Sequence, residues 1–246
     1  NMEALKFRKA VLLVSLCLWT LTVFPLVKED TIFQSDYLLI LNTYTSDAPW
    51  SNAIISPVLQ WLNMERKTEV YVENMNMLMI DDSLKLADLK TNIFAKYGKK
   101  KPKAVLLLGN SMMLFRNEMR EAWGDVPLIL CGEESYMGPD DCYIKKYPVV
   151  PSEQVPLTNF TEEYNLTLLQ TRVFIEENVK LLQHMIPGMK KIILIGDGRY
   201  VNQQLNTDMK QLLQKAYPEL EYDFYSAANM TTDSLLLKLN KVDSAT

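Results

Sequence analysis

Histidine is almost missing from this chain. His184 is the only one in 246 residues, so no His-rich metal site can be assembled, and the carboxylates show neither H-E-x-x-H nor calcium-loop spacing. His184 itself falls late on an expected helix, where a partial positive charge suits the helix dipole. Phosphate-cradling loops are missing too. Gly196-Asp197-Gly198 lacks the third glycine of G-x-G-x-x-G, and no G-x-x-x-x-G-K-[ST] run occurs. Gly109-Asn110-Ser111 begins like a nucleophile elbow, but Met113 stands where the closing glycine belongs. No catalytic set, metal or cofactor is therefore expected. Basic excess is absent: the net charge is −4 and the only basic run is Lys99-Lys100-Lys101, which excludes nucleic acid as an expected partner. Cysteine is scarce, with Cys17, Cys131 and Cys142 alone. Cys131, at an expected strand end, reads as a small buried hydrophobe; a disulfide to Cys142 in an oxidising compartment is the alternative.

What the chain does have begins with an apolar run. Residues 10–27 carry no charge, and at 1.5 Å per residue they span about 27 Å, close to the ~30 Å hydrocarbon core of a bilayer. Lys6, Arg8 and Lys9 precede the run, and Lys28, Glu29 and Asp30 follow it. That bias leaves residues 1–9 in the cytoplasm and sends the rest across a bacterial inner membrane into the periplasm, with 10–27 as a retained transmembrane helix. A cleaved signal peptide is the rival reading, but its apolar region would be shorter and residues 22–27 offer no small-x-small site. Leu16 before Cys17 also breaks the lipoprotein motif.

Beyond the run, strand and helix alternate. Apolar segments predict strands over 38–42, 68–72, 104–108 and 128–131, with helices over 52–64, 84–97 and 111–123 between and after them. Such alternation predicts right-handed βαβ crossovers and a parallel sheet with helices on both faces, here a first lobe over 36–150. Pro148, Pro151 and Pro156 lie in a polar, extended passage; residues 151–164 read as a crossover or hinge. A long helix over 165–185 then opens a second lobe, 165–246, with strands over 191–196 and 221–225 and helices over 201–216 and 232–239. Two strands make a poor sheet, so the second lobe reads as truncated and the chain as a fragment of a longer protein.

In an open α/β sheet, ligands bind at the carboxyl ends of the strands. The first strand leads into a polar loop with Thr43, Tyr44 and Trp50; the third ends at Gly109-Asn110, the fourth at Gly132-Glu133, and the first strand of the second lobe at Asp197. Thr43, Tyr44, Trp50, Asn110, Glu133 and Asp197 are the candidate ligand-binding residues. The aromatics would offer flat apolar surface and the others hydrogen bonds. Trp50 also reads as a helix-start residue packed on the lobe. The pairs Asp81-Asp82, Glu133-Glu134 and Asp140-Asp141 read as solvated turn and cap residues.

The apolar strand, the triplet Asn42-Thr43-Tyr44, the pair Pro49-Trp50 and the helix after it resemble the opening of a periplasmic-binding-protein-like sensor family. Thr43 stands where Ser is more usual. The likeness spans roughly residues 36–242, its specific part is 42–50, and Lys190 to Asp197 resembles the first strand of that family's second lobe. Members occur as extracytoplasmic domains of bacterial histidine kinases and diguanylate cyclases, and relatives are ABC-type substrate-binding proteins. The resemblance implies two Rossmann-like lobes of the type I binding-protein class, closing on a small ligand such as a sugar, an amino acid or another metabolite. It implies signalling rather than chemistry as the output and leaves a homodimer open. The substrate-binding subunit of an ABC importer is the alternative, and a two-lobed α/β enzyme the third reading.

Overall fold

A computed structural model describes residues 37–65, 68–227 and 230–242. The expected membrane span over 10–27 and the expected cytoplasmic segment over 1–9 lie outside the described residues. Among the described residues no helix is long and apolar enough to cross a membrane.

Five parallel strands form the main sheet: β1 (Tyr37–Asn42), β2 (Glu69–Asn74), β3 (Ala104–Leu108), β4 (Leu128–Gly132) and β7 (Leu166–Gln170), in the order β2-β1-β3-β4-β7. This is the 2-1-3-4-5 order of doubly wound sheets, which reverses direction between β1 and β3. The central strands β1, β3 and β4 are almost wholly buried. Their residues alternate between two cores. Leu39, Leu41, Val105, Leu107 and Leu130 point to one face, packed with Phe115, Met119 and Trp123. Ile40, Leu106, Leu108 and Cys131 point to the other, covered by Trp50, Ile54, Ile55 and Val58 of helix α1 (Pro49–Glu65). Period-2 side-chain geometry turns a continuous apolar run into two faces, so a strand such as LLIL needs helices on both sides.

Helix α2 (Ser83–Tyr97) starts where the Asp82 side chain accepts from the Lys85 amide, and helix α3 (Arg116–Trp123) follows a 3-10 segment over Asn110–Phe115. The expected helix over 111–123 is thus half 3-10, because six consecutive buried residues pack straight down onto the sheet. On either side of helix α4 (Asp140–Lys145), the short strands β5 (Tyr136–Met137) and β6 (Val155–Pro156) pair antiparallel.

Three expectations are corrected here. The helix predicted over 165–185 is a strand followed by a helix: Leu166–Gln170 pairs with β4, and helix α5 runs only over Ile175–Met185. Tyr164 and Leu166 drop into the first core, a burial that a helix beginning at 165 could not supply. The first lobe therefore extends to Gln170 rather than ending at Val150. The proline passage over 151–164 is accordingly not a free hinge. Leu157 is 1 % exposed within the first core, and its amide donates to the Ser135 carbonyl.

The second lobe holds parallel strands β8 (Lys191–Gly196) and β9 (Glu221–Ser226) with helices α6 (Tyr200–Ala216) and α7 (Thr232–Leu239). Its core is separate: Val179, Ile192, Met209, Leu213 and Leu220. The chain passes from one core to the other at residues 171–174. Cys131 and Cys142 are both buried and unbridged.

Candidate ligand-binding cleft

The loops after β1 and β3 leave the sheet in opposite directions, and the crevice between them is where a sheet of this order binds ligands. Each residue of the Asn42-Thr43-Tyr44 triplet has its own task there. Asn42 is fully buried; its Nδ2 donates to Asn74 Oδ1 at 2.8 Å and to Ser51 Oγ at 3.3 Å, and its Oδ1 accepts from the Tyr44 amide, so it shapes the turn and ties it to β2 and α1. Thr43 Oγ1 lies 2.9 Å from Ser111 Oγ, joining the β1 and β3 loops. Gly109 makes that approach possible. It sits at φ +92°, and a Cβ there would fall 2.6 Å from Thr43 Oγ1.

Tyr44 turns its ring into the crevice, edge-on to Trp50 with centroids 5.5 Å apart. Asn110 is buried and its Nδ2 holds the carbonyls of Glu134 and Tyr136, both at 3.1 Å, which pins the loop after β4. Its Oδ1 has no hydrogen-bond partner and faces Gly132, where a Cβ would come within 2.0 Å.

The second lobe closes the crevice from above. Asp197 lines neither cavity described below. Its carboxylate is consumed in starting α6: Oδ1 accepts from the Arg199 amide and Asn202 Nδ2, and Oδ2 takes Arg199 Nε at 2.6 Å. The guanidinium so held lies over the Tyr44 ring, 5.0 Å from its centroid. Tyr200 packs on Tyr143 at 4.5 Å and joins the first core. Gln204 spans the lobes, accepting from the Val149 amide and donating to Asp208 Oδ1.

Two connected spaces result. An inner recess of about 40 Å³, lined among others by Thr43, Asn110, Tyr143, Lys146 and Tyr200, has room for a few waters. An outer cleft of about 1140 Å³ runs between the lobes, with Trp50, Tyr136, Phe174, Glu133, Glu134 and Asp208 on its walls. Tyr44, Trp50, Glu133, Glu134 and Arg199 border both. The outer space exceeds the usual ~300–1,000 Å³ of a small-molecule site, as expected of a cleft standing open.

Charge is confined in this cleft. Burial raises the Glu134 carboxyl to about 7, helped by the charges of Glu133 and Asp208. Burial also raises Glu133, with Arg199 acting against it, and raises Asp208, against a hydrogen bond from Gln204. The Tyr44 phenol is pushed far up by burial and by the Glu133 charge. Desolvation lowers Lys146, whose Nζ donates to the carbonyls of Ile80 and Ile144.

Of the six residues picked from sequence, Thr43, Tyr44, Trp50, Asn110 and Glu133 line one recess, while Asp197 acts one shell back through Arg199. Trp50 does two things at once, packing on the second face of the sheet and bordering the cleft. Sequence reasoning missed Glu134, Tyr143, Lys146, Arg199, Tyr200 and Asp208. Of these, Arg199 alone carried a signal, two residues past a candidate loop residue. Among the described residues no group of three His, Cys, Asp or Glu side chains could hold a metal ion.

No family model and no curated protein matches the chain. Similar solved structures include an ABC domain in complex with L-Trp from Streptococcus pneumonia, 13% identical with a TM-score of 0.49. They also include a carbohydrate transporter solute binding protein from Agrobacterium radiobacter in complex with D-arabinose, 15% identical with a TM-score of 0.44. The alignments cover 85% and 84% of this chain but 63% and 64% of those chains, so it spans just under two thirds of their length. Likeness of this extent says nothing about what this chain binds.

Proposed function

We propose that this chain is a ligand-binding module that takes one small polar molecule in the cleft between its two α/β lobes, without turnover. The observation that carries the reading is the crevice at the β1/β3 reversal, walled by Tyr44 and Trp50 from one lobe and capped by Arg199 and Tyr200 from the other. Aromatic walls with a few fixed polar groups are the usual make-up of such sites. Two biological settings suit it. One is the extracytoplasmic sensing domain of a bacterial signalling receptor such as a histidine kinase, anchored by residues 10–27. The other is the substrate-binding component of an ABC importer. The importer reading accounts for the described residues as fully as the sensor does, since both need only the binding unit.

Calorimetry of the full chain against a metabolite library tests the binding reading. A saturable 1:1 ligand whose affinity falls at least tenfold in Trp50→Ala is expected. Conversion of the ligand into a product, or binding untouched by Trp50→Ala, overturns it. Co-purification with a permease or with a kinase separates the two settings.

A further inference from the structure

We infer that the ligand of this cleft carries a protonated amine, seated between the Glu133 and Glu134 carboxylates of the first lobe and Asp208 of the second. This rests on the small-ligand reading above and specifies its chemistry.

The cations near the cleft are already engaged. Arg199 is tied to Asp197, Arg172 pairs with Glu177, and the Lys146 ammonium sits on two backbone carbonyls. The three carboxylates have no cationic partner: among the described residues none of them forms a salt bridge, although Asp208 accepts from Gln204 and Glu133 lies within the field of Arg199. Glu134 feels both Glu133 and Asp208 as like charges. Such an arrangement costs the empty protein free energy, and a cation placed among the three removes the cost.

Two of the three acidic residues are also held in place. The Asn110 side chain fixes the Glu134 backbone, and Gln204, anchored on Val149, orients Asp208 Oδ1. A second observation is independent of the acidic groups. The Tyr200 side chain lines the inner recess and is only 9% exposed; its buried hydroxyl makes no well-formed hydrogen bond, with the Tyr143 hydroxyl as its nearest polar neighbour and Glu134 close enough to act on it. A buried hydroxyl of this kind calls for a polar ligand atom or a water, and as an acceptor it suits an N–H donor. The rings of Tyr44 and Trp50 border both the recess and the outer cleft, and that of Tyr136 borders the outer cleft beside Asp208, where an ammonium gains from aromatic faces. An anionic ligand would meet a wall of carboxyl groups and no uncommitted cation.

The test is calorimetry on the full chain with putrescine and L-lysinamide as cationic probes, D-arabinose as a neutral probe and succinate as an anionic one. At least one amine is expected to bind, with affinity lowered tenfold or more in Glu134→Gln and again in Asp208→Asn. Both variants should keep the ligand-free melting temperature or raise it, because each removes like-charge repulsion. Failure of both amines at millimolar concentration overturns the inference, as does amine binding indifferent to the two substitutions. Tighter binding of arabinose or succinate, lost in Trp50→Ala, also overturns it while leaving the small-ligand reading intact. Absence of binding by any probe and by the metabolite library removes both.

Discussion

The guanidinium of Arg199 lies over the ring of Tyr44, 5.0 Å from its centroid, and joins the two lobes beside the contacts that Tyr200 and Gln204 also make with the first. Asp197 makes the contact possible by holding Arg199 Nε at 2.6 Å. The stacked pair therefore acts as a latch across the inner recess, and Asp197 sets its position without lining either cavity.

The latch has a measurable strength. Cation–π pairs range from about 0.5 kcal/mol when exposed to ~2 kcal/mol when desolvated. A double-mutant cycle of Arg199→Ala and Tyr44→Leu, followed by urea denaturation, is expected to give a coupling of about 1 kcal/mol. Asp197→Asn should remove about half of it, because the guanidinium loses its tether. Strict additivity of the two single variants would show that the lobes are not joined there.

Gly109 is the least replaceable residue of the β3 loop. A Cβ would meet Thr43 Oγ1 at 2.6 Å and the φ of +92° strains any L side chain. Gly109→Ala is expected to cost roughly 2–4 kcal/mol in denaturant titration. Adding Thr43→Ala should recover part of that cost, because the hydroxyl and methyl move out of the way, while the backbone strain remains. No recovery in the double variant would mean that φ alone sets the penalty.

The pH response of stability follows from Glu134. Its folded pKa of about 7 stands above the ~4.3 of an unfolded glutamate. Between those values the folded chain holds a proton that the unfolded chain has released, so stability is fully present below about pH 4.3 and is lost as the pH rises through 7. The groups facing Glu134 are Glu133, Asp208, Tyr44, Tyr136, Tyr143 and Tyr200, with Arg199 near Glu133. Glu133 and Asp208 are raised as well and act in the same direction. With water reaching the cleft, a loss on the order of 1–2 kcal/mol is expected between pH 5 and pH 8. Glu134→Gln should flatten that part of the profile in urea melts. A wild-type curve parallel to the variant's would contradict the assignment.

The first lobe was legible from sequence because its strands declare themselves. Leu38 to Leu41, Ala104 to Leu108 and Leu128 to Cys131 are continuous apolar runs between polar loops, and only a strand buried on both faces looks like that. The β1, β3 and β4 loops were found for the same reason: the carboxyl end of such a strand can be read off directly. Strand β7 was hidden because Leu168, Leu169, Val173 and Phe174 continue the helical spacing of α5. Its strand character comes from pairing with β4, a partner about 38 residues away in register, which no local pattern reports. The same limit hid Tyr143, Lys146, Tyr200 and Asp208. Their neighbours lie in the other lobe or in the irregular passage after β4, and a lone Tyr or Lys there looks like any surface residue. The pair Glu133-Glu134 was read as solvated, since adjacency in sequence says nothing about a second lobe covering it.

Tyr200→Phe separates folding from binding. The hydroxyl has no partner in the empty cleft, so its removal leaves no group stranded and the ligand-free melting temperature should stay level or rise. Ligand affinity should fall about tenfold, the usual worth of one hydrogen bond to a charged group. A clear drop in ligand-free stability would instead mean that the hydroxyl already serves the fold.

Closure of the cleft is the last expectation, and its pivot is the short link over residues 171–174. The two cores are separate, and within the described residues the chain crosses from one to the other only there. Thr171 is fixed to the first sheet by its amide and hydroxyl, both donating to the Gly132 carbonyl, whereas Val173 and Phe174 are 45% and 49% exposed. Rotation about 172–174 thus leaves both sheets intact, shifts the contacts of Arg199, Tyr200 and Gln204 with the first lobe, and narrows the outer cleft between Glu134 and Asp208. A ligand that contacts both walls favours the closed form by its differential affinity, about 1.4 kcal/mol for each tenfold preference. Small-angle scattering should show a smaller radius of gyration at saturation, and replacing Val173 with proline should reduce that change while leaving the ligand-free melting temperature within a few degrees. An unchanged radius with ligand bound would mean that the cleft fills without moving.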